Sequence, residues 1–319
     1  MTGTGTQNDP YIISDWNDFI IAIGTADAYV EFPKVLVHTQ DRNVDPNKLY
    51  TDANGVVQTN VQPSDLANLY ENTFVLDAND YAPGGITSTI TMSCTDINGY
   101  GGYIKNLAST TVDIFENTVD TNVNQLAILN INVENVSFIN TTAAGMTYTK
   151  CIFSGRAKGD SAHHTTVFGD KNNTHSSRYN SCAFNFYIVG VYDLFNYLNY
   201  GGFVYAGPMY DCRLEINHVN NDSIVAAGTL WIRLEKSYLT GVIANAVNVT
   251  LTAQSHYSVI EVEKGSGINV NDAQGGTVQL ILINNEMYTG TIPTGCVGIT
   301  TAQSKDASYL NSIGFPIQL

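Results

Sequence analysis

This chain is short of charge. Charged residues fill 13% of its 319 positions, against roughly 25% in an ordinary globular domain. Cations are scarcest: 14 Lys and Arg face 29 Asp and Glu, a net charge of −15. Phosphate contacts need clustered Lys and Arg, so nucleic acid is excluded as a partner and anionic membrane surfaces are disfavoured. No apolar run reaches the length of about 18 residues that a membrane span needs. Met1 to Asn8 lacks the basic start and apolar stretch of a secretory signal. The five cysteines are widely spaced with no C-x-x-C. No G-x-S-x-G, phosphate loop or Cys–His pair at a readable spacing occurs either, so the usual nucleophile and nucleotide motifs are missing. Gly84-Gly85, Gly101-Gly102, Gly201-Gly202 and Gly275-Gly276 read as turns.

What is present is apolar and repetitive. Hydrophobic residues make up 44%, with 19 Tyr and 12 Phe, ample for a core; Asn, Thr, Ser, Tyr and Gly must cover the surface. Three runs share one design: Thr149-Lys150-Cys151-Ile152-Phe153, Asn180-Ser181-Cys182-Ala183-Phe184 and Tyr210-Asp211-Cys212-Arg213-Leu214. A fourth, Glu235-Lys236-Ser237-Tyr238-Leu239, has Ser in the Cys place. Each sets a small side chain two positions before a bulky apolar one, so both point to the same side of a strand. The Cys steps are 31 and 30 residues and the step to Ser237 is 25, within the range of about 20–50 that marks solenoids. The fold expected is all-β: a right-handed, single-stranded parallel β-helix. At equivalent rung positions the cysteines are expected as reduced, stacked core thiols; a disulfide or metal framework is the alternative.

Three parts follow in order. Residues 1–24 form a tail and a capping helix: Trp16, Phe19, Ile20 and Ile23 share one helical face, Ser14 stands where a cap is needed and Gly24 can end the helix. Such a helix would cover the backbone edge of the first rung. Residues 25–300 carry the β-helix, with projecting loops near 40–72, where Ser64–Tyr70 suggests a helical turn or two, and 159–177. Residues 301–319 form a C-terminal cap in which Pro316 blunts the edge.

The string Gly5-Thr6-Gln7-Asn8-Asp9-Pro10-Tyr11-Ile12-Ile13-Ser14-Asp15-Trp16-Asn17-Asp18-Phe19, followed by Ala28-Tyr29-Val30, resembles the opening of β-helical virion proteins of tailed bacteriophages, particularly phages of gut bacteria. Tyr309-Leu310-Asn311-Ser312-Ile313-Gly314-Phe315-Pro316-Ile317 is similar to the ending of that group. The resemblance implies a structural component of the particle, on the head surface or in the tail, with other virion proteins as partners and the virion surface as its location. It brings no catalytic residues. Tailspikes usually add a particle-binding domain ahead of the β-helix. A helix beginning near Ser14 leaves no room for one here, which favours attachment through the solenoid, its caps or its loops.

Three constellations are candidates for chemistry. Glu215, Glu235, Glu261 and Glu263 alternate outward with Arg213 and Arg233. Two carboxylates about 5–9.5 Å apart could hydrolyse a glycosidic bond; as a neutralised Arg/Glu ladder they would be structural and tolerate Gln. The G-H-G and R-I-K strings of β-helical polygalacturonases are absent. His163, His164 and His175, near Asp160 and Asp170, offer Zn²⁺ or Ni²⁺ ligands, or belong to a solvated loop. Tyr187, Tyr192, Tyr197, Tyr200 and Tyr205 could stack on sugars, fill a protein interface or pack between rungs. The expectation is a non-enzymatic virion protein without cofactor, a head-decorating or tail-appendage homotrimer that mediates assembly or host contact. The alternatives are a polysaccharide depolymerase and a non-catalytic adhesin for bacterial surface glycan.

Overall fold

The computed structural model describes residues 1–38, 50–52, 57–58, 70–142, 145–160, 165–170, 177–190, 192–195, 197–200, 203–206, 208–220, 228–252, 254–271 and 278–316. For 38, 57–58, 165, 170, 192–195, 197–200, 203–206, 228–229 and 231 the backbone alone is described. The chain coils into a parallel β-helix. One face stacks Tyr29–Glu31, Asp96–Asn98, Thr121–Asn124, Met146–Thr149, Arg178–Asn180, Pro208–Tyr210 and the end of Gly228–Glu235, each parallel to the next. The second runs from Val75–Asp77 through Ala127–Glu134, Ile152–Gly159, Ala183–Gly190, Arg213–Val219, Tyr238–Val242 and His256–Glu263 to Cys296–Ile299. The third begins at Ile90–Met92 and includes Phe115–Asn117, Ile139–Thr141 and Thr165–Asp170.

Period-2 alternation sends every second side chain inward, and register stacks like on like. Ile128, Phe153, Phe184, Leu214, Leu239 and Ile260 form one inward column. The rings of Phe153 and Phe184 stack at 5.2 Å, and those of Tyr148 and Tyr179 at 5.3 Å. Phe168, from the third face, meets Phe153 edge-on at 5.2 Å.

From Gln125 onward the chain turns between the first and second faces at one residue per rung. Gln125, Lys150, Ser181, Asp211, Lys236, Tyr257 and Leu280 all hold φ between 48° and 55°, left-handed backbone that costs a side chain-bearing residue about 1–2 kcal/mol. Rung-to-rung hydrogen bonds support it: Lys150 N–H donates to Asn180 O, Ser181 N–H to Tyr210 O and Asp211 N–H to Glu235 O. The next residue points inward, and the column reads Leu126, Cys151, Cys182, Cys212, Ser237, Ser258. All are buried, and the cysteines are free thiols, as expected for stacked core positions.

Among the described residues there are four helices. α1 (Trp16–Gly24) is capped by Asp15, whose carboxylate accepts from Asp18 N–H; Ser14, the expected cap, instead donates its own N–H and hydroxyl to the Asp18 carboxylate. α1 packs on the first rung: Trp16 Nε1 donates to Asp77 O at 2.6 Å, and Ile23 O accepts from Ser93 and Cys94. Ahead of it, the strand Tyr11–Ile12 runs parallel to Tyr29–Glu31, and Thr2 pairs antiparallel with Ile12 along its edge. α2 is the short turn Ala78–Tyr81.

The expected loop near 40–72 holds an antiparallel sheet of Leu36–His38, Tyr50–Thr51, Val57–Gln58 and Tyr70–Asn72. Of the helical turn expected at Ser64–Tyr70, Tyr70 is in a strand and the rest lies outside the described residues. The expected loop at 159–177 is corrected in part: Thr165–Asp170 is a third-face strand, parallel to Ile139–Thr141. Buried Val167 and Phe168 give it an inward face, which its polar neighbours hide in the sequence.

α3 (Thr301–Ser304) and α4 (Ala307–Ser312) pack on the last rungs through Leu310. Leu282 sits between inward Ile281 and Ile283, so it points outward, and it clusters with Ile299 and Leu310 apart from the main core. α3 and α4 therefore form a strap along the outer flank of the last rungs. Tyr288, Ile292 and Cys296 pack against the core at that end.

Candidate functional site

Register decides which carboxylates meet. On the second face, Glu215, Thr240, Glu261 and Asn284 share one outward column, so Glu215 and Glu261 are two rungs apart, about 9.6 Å along the backbone at a strand spacing of about 4.8 Å. Glu263 lies in the neighbouring outward column, stacked on Val242. Glu235 precedes the corner, on the first face, beside His256 of the next rung. The four do not form one ladder.

Their surroundings differ as much. Glu261 is only 6% exposed. Its Oε1 accepts from Asn284 Nδ2 at 3.0 Å and Ser304 Oγ at 2.6 Å, and its Oε2 accepts from the Tyr238 hydroxyl. Asn284 Nδ2 also donates to Thr301 Oγ1, and Thr301 N–H donates to Glu286. Glu261 thus ties three rungs to the strap. Glu235, 8% exposed, has Arg233 at 2.5 Å on one oxygen and His256 Nε2 at 3.3 Å from the other. His256 Nδ1 in turn faces Gln254 O at 2.9 Å. Glu215 is exposed and accepts from Asn185 Nδ2 at 3.2 Å; Glu263 is exposed. A glycosidase needs two carboxylates facing each other across an open cleft. Here the two in one column are an exposed group and one buried beneath α3.

Tyr187 is 45% exposed on the outer face, with the Arg156 guanidinium 6.0 Å from its ring centre. Its column continues through Asn217, exposed Val242 and Glu263. Tyr192 lies on the strand that extends the third face. Tyr197 and Tyr200 are on one arm of an antiparallel hairpin, Tyr197–Tyr200 with Phe203–Ala206, and Tyr205 is on the other. This hairpin stands outside the parallel stacks. His163, His164 and His175 lie outside the described residues. Among the described residues no three His, Cys, Asp or Glu side chains converge as metal ligands.

Two charged groups that the sequence did not single out are held in unusual settings. Lys264, 4% exposed, donates through Nζ to Ala244 O at 2.8 Å and Val247 O at 2.6 Å, and burial lowers its pKa to about 8. Burial raises the Asp96 carboxyl to about 6; a hydrogen bond from Asn124 opposes the rise and the Glu31 charge adds to it. Tyr100 donates to Glu31 at 2.5 Å, and Lys34 Nζ lies 4.0 Å over the Tyr100 ring. Neither group carries a motif; both depend on which rungs become neighbours. No family model, curated protein or solved structure matches this chain.

Proposed function

We propose that this chain is a non-enzymatic structural protein of a tailed-phage particle, a head-decorating or tail-appendage β-helix that works through rigidity and surface. The observation that carries the non-enzymatic reading is the employment of Glu261. The most buried of the candidate carboxylates accepts three hydrogen bonds that fasten the strap to the coil, leaving no oxygen for a substrate. Glu235 is paired with Arg233 and lies 3.3 Å from His256 Nε2. The resemblance of both ends of the chain to phage virion proteins supplies the particle. Low charge and a stacked aromatic core fit a component that bears load within an assembly.

The chain would act as a homotrimer whose outer columns, with Tyr187 and Val242 exposed, face neighbouring copies, other virion proteins or a bacterial surface glycan. Electron cryo-microscopy of the parent particle tests the reading. Copies spread over the capsid lattice make it a decoration protein, and a few copies on the tail make it an appendage. Its absence from purified particles overturns the proposal. Release of oligosaccharide from host surface polysaccharide, lost in Glu215→Gln, would overturn the non-enzymatic part.

A further inference from the structure

The corner column contains an arrangement that the proposed function does not use: three thiols on three successive rungs. Ile152, Ala183 and Arg213 are in register, so Cys151, Cys182 and Cys212, one position earlier, stack as well. Their settings are equivalent. Cys151 Sγ donates toward Val123 O and Thr149 O, Cys182 Sγ toward Tyr148 O and Asn180 O, and Cys212 Sγ toward Tyr179 O and Tyr210 O, all between 3.3 and 3.6 Å. With one orientation repeated, neighbouring sulfurs are separated by the strand spacing, about 4.8 Å. Burial holds the Cys151 and Cys182 thiols well above the ordinary range.

That separation has a chemical meaning. At a metal–thiolate distance of about 2.3 Å, two sulfurs on opposite sides of one ion are about 4.6 Å apart. No three ligating side chains converge among the described residues, so a tetrahedral ion has no site here, but a linear ion needs two ligands. Soft thiolates select soft cations. We propose that Cys151, Cys182 and Cys212 form a buried binding column for a soft, linearly coordinated cation of the Ag(I), Cu(I) or Hg(II) class, clamped between thiols of adjacent rungs.

The charge balance suits the dry interior. A monovalent ion displaces one thiol proton to solvent and binds one thiolate and one neutral thiol. A divalent ion displaces two protons and binds two thiolates. Either leaves no net charge among apolar neighbours, which burial of an ion otherwise forbids. Cys182 is the only thiol with a neighbour on both sides, because Leu126 precedes the column and Ser237 follows it. Ser237 and Ser258 show that the corner accepts a hydroxyl: Cys212 N–H donates to Ser237 Oγ and Ser237 N–H to Ser258 Oγ, both at 3.0 Å.

The test uses silver nitrate in chloride-free buffer with the full chain carrying Cys94→Ala and Cys296→Ala. Retained silver is measured after desalting against a small competing thiol, with circular dichroism to verify folding. The expected result is one ion per chain, kept when Cys151→Ser or Cys212→Ser is added and lost with Cys182→Ser. Cys182→Ala serves as a second break if Ser at that position perturbs folding. Binding that falls in equal steps for all three positions, silver retained without Cys182, or no retention by the folded parent would overturn the proposal.

Discussion

Removing the Glu261 carboxylate is the sharpest perturbation available. In Glu261→Ala the Tyr238 hydroxyl, Asn284 Nδ2 and Ser304 Oγ lose their common acceptor in a site that is 6% exposed. A buried donor left unmade costs about 1–3 kcal/mol. Ser304 lies in the strap and can relax outward, which leaves the Tyr238 hydroxyl and Asn284 Nδ2, so the net effect should be about 2–6 kcal/mol. Glu261→Gln keeps one acceptor but exchanges charged for neutral hydrogen bonds and should cost about 1–3 kcal/mol. It is therefore not the innocuous change expected of a solvated ladder. The loss should be local. Hydrogen exchange should accelerate over 300–316 by about 30-fold or more in the Ala variant, since each 1.4 kcal/mol is tenfold, while protection near Phe153 stays unchanged. Loss of less than about 1 kcal/mol with unaltered exchange in the strap would refute the role given to this carboxylate.

Other outcomes follow from the same structure. Phe153→Ala removes a fully buried ring that stacks on Phe184 and meets Phe168 edge-on; it should cost about 3–5 kcal/mol in thermal or denaturant unfolding. Lys264, held near 8 instead of the ordinary 10.5, gives up its proton in the folded chain while the unfolded chain still keeps it. Its contribution to stability should therefore rise with pH between about 8 and 10.5; Lys264→Met should lose that slope, so the difference in stability between parent and variant should change with pH across this window. Asp96, raised to about 6 from 3.8, binds a proton more tightly when folded, so its contribution is largest in acid and falls as pH rises from about 4 to 6. Asp96→Asn should raise the melting temperature at pH 7 more than at pH 4; an equal shift at both would contradict this.

The β-helix was legible because one corner repeats in chemical terms: a small residue, then an apolar one two places on, at Cys151, Cys182, Cys212 and Ser237. The same corner at Leu126 and Ser258 escaped notice, since the small residue becomes Leu at one and the spacing shortens to 21 residues at the other. The turning residues gave no signal. Left-handed backbone is usually marked by Gly or Asn, and here it is held by Lys150, Lys236, Tyr257 and Leu280; at Lys150 and Lys236 the N–H bonds to the next rung. Alternation marked Glu261 as outward, correctly, but outward did not mean exposed. What covers it is a strap 40 residues further on, and which donors reach it depends on register. The likeness of Glu215 and Glu235 in the sequence misled for the same reason: they lie on opposite sides of the corner.

The corner column also sets where this molecule can be lengthened. Successive turning residues are 25, 31, 30, 25, 21 and 23 apart, yet the backbone conformation at each is nearly the same. From Gln125 on, length thus varies away from the corner and the strands flanking it. The hairpin inserted before Pro208 occupies such a place, whereas the antiparallel sheet between Glu31 and Val75 lies at the corner of the first rung, ahead of the seven turning residues. The coil behaves as a spine with a slot at each turn, into which a lineage can splice or delete a projection without re-registering the rungs above it. Surface specificity can then diversify rung by rung over an unchanged interior.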